Sequence, residues 1–174
     1  MINYINKPLY LILSIIIFSL TSCNSIINRL YDDTTAKYNA YFIANEIINE
    51  IELNLKNNSI NNYDSLLTIN YSLDSSSIRQ HEEKINKSIE KLSILIQRHP
   101  ESKYVYPSYV LIGKSRLLNL DLRQSIITFK YVNSKSDSKS TKDLALINLM
   151  RAYTENQQYK EAEKVYAFLK NKNI

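Results

Sequence analysis

The residue types that most often perform covalent or metal chemistry are scarce in this chain of 174 residues. It has one cysteine, Cys23, and two histidines, His81 and His99, which lie far apart in the sequence. A single cysteine cannot form an internal disulfide, and isolated histidines do not make a zinc site. The sequence shows no constellation of a nucleophile with a general base. We therefore expect the protein not to be an enzyme and to use no cofactor and no metal.

Glycine is almost absent, since Gly113 is the only one in the chain. Tight hairpins, bulges and phosphate-binding loops rely on the positive φ angles that glycine adopts easily. The composition therefore argues against all-β and nucleotide-binding folds and favours an all-α protein. The net charge is +5, but the basic residues form no evident patch, so we expect no nucleic-acid partner.

The amino terminus has the pattern of a secretion leader. Lys7 precedes an apolar run of 12 residues, Leu9–Leu20, which is too short for a bilayer span of about 20 residues and is typical of a signal peptide. The sequence LTSC at 20–23 follows at once and resembles the bacterial lipobox. This resemblance implies cleavage before Cys23 and lipidation of its thiol. We expect a signal peptide over residues 1–22 and a lipidated tether over residues 23–34.

Lipid attachment would decide the location of the protein. Each buried methylene of an acyl chain contributes about 0.8 kcal/mol, so the three chains usual at a lipobox cysteine anchor a protein permanently. No acidic run of the kind that directs lipoproteins to the cell surface follows Cys23 immediately. We expect a lipid-anchored protein of the outer membrane that faces the periplasm. The alternative is an ordinary free or buried cysteine.

Apolar residues recur at helical spacing in six later segments. The expected helices are Ala36–Lys56, a segment from Ser77 that ends before Pro100, Pro107–Leu118, a segment from Asp121 to Ser134, Thr141–Glu155 and Tyr159–Lys170. Ser77 and Asp121 are each followed three residues later by glutamine, a spacing that is typical of helix N-termini. We expect Ile60–Ser76 to be a long ordered connection.

The last four predicted helices contain an internal repeat. In a tetratricopeptide unit, small residues lie where the two helices cross and a large residue packs between them. The matched positions, each pair 37 residues apart, are Gly113 with Met150, Ser125 with Ala162 and Phe129 with Tyr166. We expect a short tetratricopeptide-like α-solenoid over residues 35–174, with units at about 106–139 and 143–174. Unrelated helical hairpins are the alternative.

Stacked units of this kind form a concave face from the first helix of each pair, and such faces bind other proteins. Two of its predicted residues, Lys114 and Arg151, would form a basic rim around apolar positions, which suits an acidic or extended peptide. The repeat register assigns six residues to this face: Val110, Lys114, Leu117, Ile147, Arg151 and Thr154.

A more specific resemblance is carried by the stretch TAKYNAYF at 35–42 and by YDSLL at 63–67. Together with Ile85–His99 and Tyr109–Phe129, these stretches make the chain similar to the amino-terminal part of the PorW/SprE family. Members of that family are tetratricopeptide lipoproteins associated with type IX secretion and gliding motility in Bacteroidetes. The resemblance implies a membrane-anchored scaffold whose partners are envelope proteins of that machinery.

Three alternatives stay open at this point. The first is a BamD-like lipoprotein of outer-membrane assembly, which would share the lipobox and the repeats. The stretch at 35–42 favours the PorW/SprE family over this alternative. Family members are several times longer, so a shortened or partly degenerate relic is the second alternative. The apolar side of the last two helices would then be exposed, including Leu149, Tyr153 and Tyr166. An envelope hydrolase or its substrate-binding subunit is the third.

Lipidation of Cys23 can be tested by substitution. In Cys23→Ala the thiol that would accept the lipid is gone, so we expect the protein to leave the membrane fraction and its leader to stay uncut or to be cut elsewhere. Metabolic labelling with a fatty acid measures the attachment directly. Label that persists in the Cys23→Ala protein would contradict the prediction.

Overall fold

The computed structural model describes residues 30–31, 33–35, 40–58, 71 and 73–172. These ranges contain helices and no strand, so the prediction of an all-α protein is confirmed for them. None of their helices is both long and apolar enough to cross a bilayer. The predicted signal peptide and Cys23 lie outside the described residues.

Seven helices have both of their bounds within these ranges. They are α1 (Phe42–Asn57), α2 (Ser75–Arg79), α3 (Glu82–Arg98), α4 (Val105–Leu118), α5 (Leu122–Lys135), α6 (Lys139–Glu155) and α7 (Tyr159–Asn171). Residues 30–31 and 33–35 are helical as well, which makes eight helical segments. The prediction of about six helices was therefore too low.

Two helical segments were missed. One is at 30–31 and 33–35, at the end of the predicted tether. The other is α2, which spans the boundary between the predicted connection, Ile60–Ser76, and the helix predicted from Ser77. Its N-cap is Asp74, whose carboxylate accepts the backbone N–H of Ser77 at 3.3 Å. Aspartate is among the best N-cap residues, so the cap lies three residues before the one expected at Ser77. A turn at Gln80 and His81 then separates α2 from α3. The second capping signal was correct, because Asp121 accepts the backbone N–H of Gln124 and begins α5.

The helix pairs α4–α5 and α6–α7 turn in the same way. Leu120 and Gln157, which follow the first helix of each pair, both have a left-handed φ of 59°. The hydrogen bonds around them also recur 37 residues apart. They run from the N–H of Asp121 to the carbonyl of Arg116 (2.9 Å) and from the N–H of Gln158 to the carbonyl of Tyr153 (2.8 Å). This bond from the residue after the left-handed position is the mark of a Schellman helix end.

The helices alternate between two rows. Apart from the short α2, each helix packs on the next one along the chain, from α1 on α3 to α6 on α7. In addition, α1 contacts α4 and α4 contacts α6. We call α1, α4 and α6 the first row, and α3, α5 and α7 the second row.

Helix α4 joins two apolar clusters and is buried on nearly every side. One cluster places Leu111 and Ile112 of α4 against α1 and α3, and the other places Val110 and Leu117 against α5, α6 and α7. Leu73 packs against both clusters. Burial of apolar area contributes roughly 25 cal/mol per Å², so this shared helix couples the two halves of the fold.

Gly113 lies where α4 crosses α5. A Cβ atom built at this position would stand 2.5 Å from Cε1 of Phe129, whose side chain is fully buried. In addition, the hydroxyl of Ser125 donates a hydrogen bond to the carbonyl of Gly113 at 2.8 Å. Small side chains at 113 and 125 therefore let the two helices approach closely, as the repeat register predicts.

The region before α1 is held against the loop between α3 and α4. Asp33 accepts hydrogen bonds from the hydroxyl of Ser102 at 2.9 Å and from the backbone N–H of Lys103 at 3.0 Å. The rings of Tyr41 and Tyr104 meet with centroids 5.1 Å apart. The end of the predicted tether is thus docked on the helical domain, which no local sequence pattern indicated.

The contact between Gly113 and Phe129 predicts an energetic coupling between the two positions. Gly113→Ala should lower the free energy of unfolding by about 1–2 kcal/mol, because the overpacking exceeds the gain in helix propensity. Phe129→Leu should be destabilising as well, because it leaves a cavity. The double variant should lose less than the sum of the two, since the smaller side chain makes room for the methyl group.

Urea denaturation of the four proteins in this cycle measures the coupling. Strictly additive losses would mean that the methyl group finds space elsewhere and that the crossing at Gly113 does not limit the approach of α4 and α5.

Candidate functional site

A cluster of charged side chains connects the three helices of the first row. Glu52 of α1 lies between Lys114 of α4 and Arg151 of α6. Its Oε2 atom is 2.7 Å from Nζ of Lys114, and its Oε1 atom is 3.6 Å from Nη1 of Arg151. The three side chains are only 13–23% exposed, so solvent screens their attraction less than at an open surface.

Tyr71 completes the cluster from the segment that precedes α2. Its hydroxyl donates a hydrogen bond to Oε1 of Glu52 at 3.2 Å, and its ring lies 4.4 Å from the guanidinium carbon of Arg151. Burial raises the pKa of Tyr71 to about 12, and the nearby charge of Glu52 also raises it, while that of Arg151 opposes the shift. The phenol is therefore neutral and acts as a donor at physiological pH.

Arg151 is only partly satisfied by these contacts. Its Nε and Nη2 atoms are buried and have no hydrogen-bond partner among the residues that the structure describes. A stacked aromatic ring attracts the cation but leaves these two N–H groups without an acceptor. The arrangement of donors and positive charge around Arg151 can bind an anion.

Two of the six predicted face residues come together in this cluster. Lys114 and Arg151 share one carboxylate, so the two cations predicted for the rim lie around Glu52 of the same chain and are partly neutralised by it.

The other four predicted residues divide into two groups. Val110 and Leu117 are each 1% exposed and belong to the second apolar cluster, so they offer no accessible surface. Their positions on α4 are covered because α6 and Leu73 pack against this side of the helix. Ile147 is 44% exposed, and Thr154 is exposed with its hydroxyl bonded to the carbonyl of Met150.

Sequence reasoning missed Glu52 and Tyr71. Glu52 lies 62 residues from Lys114 and 99 residues from Arg151, so no local spacing links them. Of the two, only Glu52 had a signal in the sequence. If the first helices of successive units form one row, a carboxylate on the earliest of them faces the cations on the later ones.

The predicted exposure of apolar side chains on α6 and α7 is correct only in part. Tyr166 is 54% exposed and Tyr153 is half-buried, but Leu149 is only 4% exposed. Leu149 is buried because it belongs to the second apolar cluster.

Other places in the described residues are less suited to a ligand. No group of three or more histidine, cysteine, aspartate or glutamate side chains that could hold a metal occurs among them. A cavity of about 500 Å³ lies between the α3–α4 and α5–α6 loops. Its charged lining residues are two acids, Glu101 and Asp137, and one base, Lys103, so no charge of one sign is concentrated there.

The raised pKa of Tyr71 predicts a specific dependence of stability on pH. The folded state holds this proton more tightly than the unfolded state, whose phenol has a pKa near 10.0. The resulting stability is present below that value and is lost as the pH rises towards about 12. We expect Tyr71→Phe, which cannot ionise, to lose less stability than the wild type over this range.

Urea denaturation at several alkaline pH values tests this difference. Tyr166→Phe, which removes an exposed phenol, is the matched control and should follow the wild type. Parallel pH profiles for Tyr71→Phe and the wild type would contradict the prediction.

Comparisons with known proteins add no relative to this description. A scan against protein-family models, a search of curated proteins and a search of solved structures each found no match. The resemblance to the PorW/SprE family therefore stays a prediction from the sequence. The function has to be argued from the residues and their geometry.

Proposed function

We propose that this protein is a membrane-anchored lipoprotein whose helical domain is a tetratricopeptide-like α-solenoid and serves as a scaffold for other proteins. The observation that carries the proposal is the recurrence of one helix-pair geometry. The left-handed residues Leu120 and Gln157 and their hydrogen bonds are offset by 37 residues, the same offset as the repeat in the sequence. The close contact of Gly113 with Phe129 supports the same register.

The two rows of helices support the assignment of a binding face. In a solenoid of helix pairs, the first helices of successive units lie side by side and form the concave surface. Here α1 contacts α4, and α4 contacts α6, as expected for such a row. Ile147 and Thr154 are exposed on α6 and flank Arg151, so this part of the row offers a surface to a partner.

We further propose that the partners are envelope proteins of a type IX secretion or gliding machinery. This part rests on the lipobox at 20–23 and on the stretch TAKYNAYF at 35–42, which resemble the PorW/SprE lipoproteins. The protein would then be anchored through Cys23 in the outer membrane and face the periplasm as an accessory component.

Site-specific photo-crosslinking in cells of the native species tests the proposal. A photoreactive amino acid replaces Ile147 or Thr154, and a matched control places it at Glu163, which is exposed on α7 of the second row. Surface substitutions of this kind usually change stability by less than about 0.5 kcal/mol, so the fold should be retained. Mass spectrometry should identify secretion or motility components at the first-row positions and not at Glu163.

Crosslinks from Ile147 and Thr154 to barrel-assembly proteins would instead assign the protein to outer-membrane assembly and would contradict the secretion role. Identical crosslinks from the first-row positions and from Glu163 would contradict the assignment of the binding face.

A further inference from the structure

Among the described residues, the charge cluster of the first row contains two cations and one anion. Lys114 and Arg151 are both cations, whereas Glu52 is the anion that they share. The carboxylate of Glu52 is engaged most closely by Lys114 at 2.7 Å and by the hydroxyl of Tyr71 at 3.2 Å. Arg151 approaches it only to 3.6 Å, through Nη1. The charge of Arg151 is therefore the less compensated of the two.

The free donors of Arg151 have the geometry of a carboxylate receptor. Within the described part of the chain, Nε and Nη2 are buried without a hydrogen-bond partner, while Nη1 faces Glu52. The N–H bonds at Nε and Nη2 of an arginine are nearly parallel and match the two oxygens of one carboxylate. Buried donors without an acceptor are unfavourable, because they have lost water and gained nothing in exchange. A single ligand carboxylate would satisfy both donors.

An apolar surface lies next to these donors. Ile147 precedes Arg151 by four residues on α6, and Leu144 precedes Ile147 by three. Positions at these spacings share one face of a helix. The side chains of Ile147 and Leu144 are 44% and 48% exposed. A ligand that reaches Arg151 along this face therefore also contacts apolar groups, which favours a peptide over a small inorganic anion.

We propose that Nε and Nη2 of Arg151 bind the carboxylate of an aspartate or glutamate in a partner peptide, whose neighbouring apolar side chain packs on Ile147 and Leu144. This inference rests on the proposed function, because it states what the scaffold recognises. The ring of Tyr71 lies against the guanidinium group, so a ligand that enters here has to displace it. Glu52 stays bound to Lys114, so the incoming anion meets Arg151 and not both cations.

Nuclear magnetic resonance of the full chain in detergent micelles, with ¹⁵N-labelled arginine, tests this inference. The probes are two tripeptide amides, one with glutamate between two leucines and one with glutamine in place of the glutamate. The Nε–H resonance of Arg151 is assigned by its loss in Arg151→Lys. We expect the glutamate peptide to shift this resonance saturably and the glutamine peptide to leave it unchanged.

Two variants make the result specific. In Tyr71→Ala the ring is gone, so the glutamate peptide should saturate the shift at a lower concentration than in the wild type. Arg116→Lys is the matched control, because Arg116 of α4 donates to the hydroxyl of Thr128 and lies outside the cluster. In this control the Arg151 shift should be unchanged.

Equal shifts with both peptides, or no shift with either in the wild type and in Tyr71→Ala, would overturn the inference. Neither result would affect the crosslinking test, which does not depend on a carboxylate. If Ile147 still crosslinks to secretion components, the scaffold function stands and only the role of Arg151 fails.

Discussion

The carboxylate of Glu52 is the point at which the three helices of the first row are joined by charge. It binds Lys114 of α4 directly, approaches Arg151 of α6 and accepts a hydrogen bond from the hydroxyl of Tyr71. Apolar packing alone divides the fold into two clusters that meet at α4. The contact between Glu52 and Arg151 reaches from α1 in one cluster to α6 in the other. Removing one member of a buried ion pair leaves a charge without compensation, so this cluster constrains how α1 lies across the later helix pairs.

Two features of α4 explain how this helix can be buried so completely. A helix with neighbours on nearly every side must meet them closely, and Gly113 allows Phe129 of α5 to approach where any Cβ atom would collide. On another side of α4, the long side chain of Lys114 reaches Glu52 and stays partly exposed. Small residues and one paired cation thus let a single helix serve both halves of the core.

The sequence was most informative where structure depends on local signals. The bounds of α4 to α7 follow from helical periodicity and from caps such as Asp121, all of which act within a few residues. The helix predicted from Ser77 is in fact two helices, α2, which begins after the cap Asp74, and α3, which follows the turn at Gln80 and His81. The start was misplaced because two good caps three residues apart are hard to rank from the sequence.

The charge cluster was only half predictable. The repeat register placed Lys114 and Arg151 on one row because both occupy the same position in their units. The register could not place Tyr71, which belongs to the connection before α2 and to no repeat position. It also could not show that Val110 and Leu117 are covered, since burial at these positions depends on how closely α6 and Leu73 pack on α4.

Partial neutralisation by Glu52 has a consequence for selectivity in the proposed scaffold. Two unpaired cations side by side would attract any polyanion through a field that depends little on geometry. With Glu52 bound to Lys114, the remaining positive charge is concentrated on Arg151 beneath the ring of Tyr71. A ligand must then supply an acceptor in the right orientation and compensate for displacing the ring. A ligand that cannot satisfy both requirements binds less favourably, and this difference in affinity gives the site its selectivity. Binding sites commonly exclude similar but incorrect ligands in this way.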